Sequence, residues 1–206
     1  MPSNGGFERV PVLYEDELGR GARRSQFGLH VLVCACIADR RRAAGQASTS
    51  LWSIQEQTDP RPQNGNAALL AAAERLVDVH PWCVIVIDTD RTPASLGLPR
   101  NAEPERVKGA IEARFEARGS RVPIVCPLDR NTETVIDAAA EVLGEPPPLR
   151  KEKPLDRDRR LIRLACREDP STRARLLDLV PSFAGLVQEL DEVLRSLEIE
   201  RVLRNS

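Results

Sequence analysis

"VIVIDTDR", Val84 to Arg91, is the stretch on which the reading of this chain turns. Four apolar residues run directly into two aspartates that flank one threonine. The run is short and β-branched, which predicts a buried strand. Asp88 and Asp90 are spaced i, i+2, so both side chains fall on one side of an extended chain, about 7 Å apart at Cα. Two like charges at the edge of a core are unfavourable unless something positive lies between them. A divalent cation is the obvious candidate.

Working outward, "RVPVLYEDE" (9–17) predicts a first strand that ends in an acidic corner, and residues 25–45 a helix closing on the basic turn Arg40–Arg42. Residues 48–57, "STSLWSIQEQ", read as a second strand, and "DPRPQNGN" (59–66) as loop from its Pro, Gly and Asn content. A helix is expected over 67–80. The third strand is 82–90, and 91–104 is loop. A helix over 103–119 and a fourth strand over 121–127 follow. Trp52 and Trp82 fall in predicted strands and read as core. The alternation of strand and helix implies an α/β fold: a mainly parallel sheet with helices on both faces. Function on such sheets sits beyond the strand C-termini, where Glu15, Asp88 and Asp90 lie.

From residue 131 onward the pattern is helical, with helices expected over 131–144, 156–168, 171–179 and 181 to about 202. The last has apolar residues at 183, 186, 187, 190, 193, 194 and 197, close to helical spacing. The chain therefore divides into an α/β core, 1–130, and a helical C-terminal extension, 131–206, packed on it.

Composition narrows the classes. With 206 residues, 41% hydrophobic and 30% charged, a packed core is expected. A net charge of −1 argues against a uniformly basic nucleic-acid coat. Three of the 30 basic residues are Lys (108, 151 and 153) and the rest Arg. Residues 150–163 carry seven basic and three acidic side chains. The absence of a long apolar run or signal-peptide core points to a cytoplasmic protein without a membrane span. Five cysteines without a CxxC pair fit reduced, mostly buried thiols. His30 and His80 are far apart, which argues against a His-based zinc site. There is no GxxxxGK[ST] loop, so the chain is not itself a P-loop ATPase. Aromatics make up 3%, so backbone contact is favoured over base stacking.

If the first and third strands are neighbours, Glu15 and the D-x-D pair meet at one sheet edge. Magnesium accepts such hard oxygens, often one or two carboxylates with waters and phosphate. Here the residues resemble a known family: Glu15 in "VLYEDE" and Asp88/Asp90 in "VIDTD" are similar to the Toprim domain of primases, topoisomerases and OLD-family nucleases. The resemblance covers roughly residues 9–127. "NTETV", with Glu133, and "VPSF", Pro181–Phe183, are similar to segments of small bacterial proteins with a Toprim-like core. One departure is Asp16, where the pattern has Gly after its Glu.

The resemblance implies Mg2+- or Mn2+-dependent phosphodiester cleavage of nucleic acid, DNA or RNA. Asp88 and Asp90 would hold the metal, and Glu15 would hold a metal or act as general base. Glu133 would extend the cluster. It also implies an ATPase partner and a role in antiviral defence. Arg20, Arg23, Arg24 and Arg91 are the candidate phosphate contacts. Other readings stay open beside these. The aspartates also suit loop capping, Glu133 suits a helix N-terminus, and Arg91 suits an ion pair with an aspartate. The whole chain could instead be an inactive Toprim-like interaction subunit that binds through its last helix. Homo-oligomer formation is likewise open.

Overall fold

The structure is a computed structural model that describes residues 9–15, 27–90, 92–148 and 153–205. Four parallel strands form one sheet: β1 (Val10–Tyr14), β2 (Thr58–Pro62), β3 (Val84–Asp88) and β4 (Ile124–Leu128), in the order β2-β1-β3-β4. The helices are α1 (Gly28–Ala43), α2 (Leu51–Gln55), α3 (Asn66–Leu76), α4 (Thr92–Ser95), α5 (Pro104–Glu116), α6 (Thr132–Leu143), α7 (Pro154–Ala165), α8 (Ser171–Leu179) and α9 (Pro181–Asn205). The expected α/β fold with a helical C-terminal region is present. No helix among the described residues is long and apolar enough to cross a membrane.

The strand alternation sorts the core into two layers. Val10, Val12, Tyr14, Val84, Val86, Cys126 and Leu128 face a cluster completed by α1 and α6–α9. Leu13, Ile85, Ile87 and Val125 face the opposite cluster, with Leu69 and Ala73 of α3 and Val107, Ile111 and Phe115 of α5. Both faces are covered, which is why the strands read as continuous apolar runs. Each fully buried Leu or Ile here contributes about 1.5–3 kcal/mol relative to exposure.

The second strand is a correction. The segment expected to be strand, 48–57, contains helix α2, and the expected loop, 59–66, holds all of β2, "TDPRP", but its first residue, Thr58. The side chains of Ser50 and Ser53 each cap the other's backbone N–H, which stabilises a helix start that periodicity alone does not reveal. Two prolines are tolerated in β2 because it is an edge strand paired only with β1. Trp52, expected in the core, is 65% exposed on α2, while Trp82 is half-buried against the core.

Buried polar contacts fix the helices to the sheet. The Arg41 guanidinium of α1 is buried and donates to Asp191 and Glu198 of α9, each at 2.6 Å. Arg173 of α8 is also buried; it donates to Asp39 of α1 and to the carbonyls of Leu164, Ala165 and Arg167. Losing one partner of such a buried pair costs about 3–5 kcal/mol. At the other end of α1, the Gly28 N–H donates to Asp158 Oδ1 of α7 at 2.8 Å. A Cβ on Gly28 would sit 2.6 Å from Asp158 Cα, so α1 and α7 touch at backbone distance. Cys34, Cys36, Cys83 and Cys126 are buried, and burial pushes their thiols upward, the last three to about 12, which leaves them unreactive.

His30 is fully buried between Tyr14 Oη and Thr58 Oγ1, each 2.8 Å from a ring nitrogen. Burial pushes the imidazole down to about 3, so the ring is neutral. The Thr58 hydroxyl lies 3.2 Å from the Gln55 carbonyl and donates there, so it accepts from His30 Nε2–H, and Nδ1 accepts from Tyr14.

Two outcomes follow for stability. The folded imidazole resists protonation while the unfolded one takes a proton below 6.5, so His30 destabilises the fold progressively as pH falls from 6.5 towards 3. Urea denaturation should show a loss approaching about 1.4 kcal/mol per pH unit between pH 6 and 5, and the loss should be smaller in His30→Gln. Gly28→Ala should lower the urea midpoint, at a cost of about 1–3 kcal/mol from overpacking against α7.

Candidate active site

The pairing of β1 with β3 brings the acidic corners together. The Glu15 N–H donates to the Val86 carbonyl at 3.1 Å, continuing the ladder past the end of β1. Glu15 Oε2 in turn accepts from the Asp88 N–H at 3.2 Å and from the Thr92 hydroxyl at 3.0 Å. Burial raises the Glu15 carboxyl above its usual range, and the charge of Asp90 adds to this. The hydrogen bonds from Thr92 and from the Asp88 and Asn66 backbones oppose it.

β3 ends at Asp88, so Thr89 and Asp90 lie in the turn that follows rather than in extended chain. Thr89, between the aspartates, is buried. Its hydroxyl donates to the Leu128 carbonyl at 2.9 Å and accepts from the Arg130 N–H at 2.9 Å. The Asp90 N–H donates to the Arg130 carbonyl at 2.9 Å, which ties the loop after β3 to the loop after β4. Asp88 Oδ1 accepts the Thr132 N–H at 3.1 Å at the start of α6, where the helix dipole favours an anion. Asp90 Oδ2 accepts from Asn131 Nδ2 at 3.0 Å, while Asn131 Oδ1 caps α6 through the Thr134 N–H. Ser182, at the start of α9, accepts the Asp129 N–H at 3.0 Å.

Each carboxylate is thus turned towards its own donors. Among the described residues, no three His, Cys, Asp or Glu side chains are grouped so that one ion could hold them. Glu133 does not extend a cluster with Glu15, Asp88 and Asp90. Its side chain, 60% exposed on the first turn of α6, lies 3.6 Å from Arg157 of α7. Arg20, Arg23, Arg24 and Arg91, with Asp16 and Glu17, lie outside the described residues. In the described part of the basic stretch, Arg157, Arg159, Arg160 and Arg163 are all ion-paired, to Glu133, Asp156 and Glu145.

Beside Asp90 the surface opens into a polar cleft of about 450 Å³ between the two loops and the start of α5. Thr89, Asp90, Asp129, Arg130 and Asn131 line it from the sheet side, and Arg100, Asn101 and Glu103 from the α5 side. Sequence reading had not singled out Thr89, Thr92, Thr132, Arg100 or Arg130. Only the "NT" before a predicted helix carried a recognisable signal, as a cap. Compared with family models, curated proteins and solved structures, the chain matches none.

Glu15 carries a desolvated charge beside Asp90, so the folded state is penalised when Glu15 ionises, from pH 4.5 upward. Glu15→Gln should therefore raise the melting temperature at pH 7, and the gain should shrink as pH falls below 4.5. Thermal denaturation at both pH values checks this.

Proposed function

We propose that the chain is a cytoplasmic, Mg2+- or Mn2+-dependent nuclease, or a related phosphodiester-cleaving protein, acting on nucleic acid. The observation that carries the reading is the meeting of Glu15 with Asp88 and Asp90 at the C-terminal edge of β1 and β3. The donor set suits a hard cation. It consists of carboxylate oxygens, and Glu15 and Asp90 repel one another in a way that a cation would relieve. Magnesium sites commonly use one or two carboxylates and take the remaining oxygens from water and phosphate, so a site without three grouped carboxylates among the described residues is compatible with this chemistry.

Asp88 and Asp90 would hold the metal, oriented by Thr132 and Asn131. Glu15, half-buried and fixed by Thr92, would accept a proton from an attacking water. The metal, when bound, supplies a Lewis acid that stabilises charge developing on a phosphate oxygen. By resemblance alone, the chain would work beside an ATPase partner in antiviral defence.

A second reading, an inactive interaction subunit, is favoured by the surface of α9. Ile199, Val202 and Leu203 are 61%, 65% and 71% exposed at i, i+3 and i+4 spacing. An apolar recess of about 470 Å³, lined in part by Cys36, Ala43, Ala174 and Leu177, lies between α1 and α8.

Calorimetry with Mg2+ and Mn2+ on the wild type and on Asp88→Asn/Asp90→Asn separates the two. The nuclease reading expects binding in the wild type that the double variant loses, with cleavage of DNA or RNA lost in parallel. Neither binding nor cleavage by the wild type, with nucleic acid present, would leave the interaction subunit.

A further inference from the structure

We infer that the cleft beside Asp90 seats one nucleotide of a single strand, with Arg100 and Arg130 as its phosphate contacts. This rests on the nuclease reading for its place in a reaction, but its own grounds are the shape and lining of the cleft.

Arg100 and Arg130 are exposed and line the cleft, and neither is ion-paired with any described residue. This is so although Glu103 and Asp129 line the same space. The arginines of α7 contrast with them, since Arg157, Arg159, Arg160 and Arg163 are all neutralised by carboxylates. Guanidinium groups held without a carboxylate partner are suited to bidentate phosphate contact.

Arg130 is also aimed. It is a non-glycine residue at φ 64°, in the left-handed region, where a bulky side chain is unfavourable. Its N–H donates to Thr89 Oγ1 and its carbonyl accepts the Asp90 N–H, so two bonds hold the backbone in that state. The side chain therefore leaves the loop from a fixed point next to the D-x-D segment.

The lining decides between a bare phosphate and a whole nucleotide. Among the described residues, Asp90, Glu103 and Asp129 line the cleft beside the two arginines, so a ligand that is only an anion leaves these carboxylates without a donor. A nucleotide offers both halves: an anionic phosphate for the arginines, and base N–H groups, joined in RNA by the 2′-hydroxyl, that donate to carboxylates and amides. Asn101 and Asn131 add amide donors and acceptors. Among the described residues no aromatic side chain lines the cleft, so hydrogen bonds and charge rather than stacking supply the contacts they offer. A volume of about 450 Å³ is that of a small-ligand site, which a base in a closed duplex does not enter.

The test is fluorescence anisotropy of the full chain with labelled oligothymidylate, oligouridylate and a duplex of equal length, in EDTA, over a salt series. The wild type should bind both single strands more tightly than the duplex. Comparing the two strands separates DNA from RNA as the source of the nucleotide.

Arg100→Gln/Arg130→Asn should weaken single-strand binding about tenfold or more, and should reduce the salt slope by about 1.4. Asn is chosen at 130 because it tolerates the left-handed backbone. Arg121→Gln removes an exposed charge near the start of β4, at the opposite end of the sheet, and should bind as the wild type does. Circular dichroism confirms that each variant is folded.

Equal affinity and slope in the wild type and the double variant would overturn the inference. So would equal loss in Arg121→Gln, duplex binding as tight as single-strand binding, or no binding by the wild type. Because EDTA removes the metal, binding is read apart from cleavage. Arginine-dependent binding without cleavage in Mg2+ or Mn2+ would keep the cleft and reject the nuclease. Cleavage with unaltered binding in the double variant would do the reverse.

Discussion

The Asp88 N–H donates to the Glu15 carboxylate, and that contact requires β1 and β3 to be parallel neighbours. Had the chain placed β2 between them, the two acidic corners would be separated by a strand width. The order β2-β1-β3-β4 arises because the chain lays β2 on one side of β1 and crosses to the other side for β3. That crossing is the point at which α/β sheets open a crevice at their C-terminal edge. Backbone donors, a helix start and the carboxylates of Glu15, Asp88 and Asp90 meet at that edge.

The second constraint is that Glu15, Asp88 and Asp90 are each oriented by an element remote in sequence. Thr92 of α4 holds Glu15, Thr132 of α6 holds Asp88, and the α6 cap Asn131 holds Asp90. Thr89 serves the same end from inside, since its buried hydroxyl joins the loops after β3 and β4. Such support keeps charged groups in place before any ligand arrives. It also accounts for the lack of a ready cage among the described residues, because each of the three has an oxygen engaged by its own donor.

The parts legible in the sequence were those with strong local signals. The runs "VPVLY" and "VIVID" are apolar and β-branched, and their acidic ends are visible without any tertiary information. The α6 start was legible because Asn131 is a good cap and Gly144 a good terminator. β2 was hidden because an edge strand gains little from burial and tolerates Pro60 and Pro62. Trp52 was misplaced for the related reason that a serine cap turned its segment into a helix. The first-turn position of Glu133 was readable, but its direction depends on Arg157, supplied by a helix whose packing the sequence does not display. Thr92 and Thr132 were unremarkable in sequence, because a hydroxyl acquires meaning only from the carboxylate brought to it.

Helix α9 spans the molecule. Its 25 residues extend about 37 Å. Ser182, at one end, holds the Asp129 N–H beside the cleft, and Leu197 lies near Arg9, Pro81 and Trp82 at the opposite edge of the sheet. Beyond Leu197 the helix projects its apolar Ile199, Val202 and Leu203 into solvent. Asp191, Glu198 and a buried apolar stripe hold the helix to α1 and the sheet along its length. One helix thus touches the loop that carries Asp129 and Arg130 at its first turn and offers apolar side chains to solvent at its last.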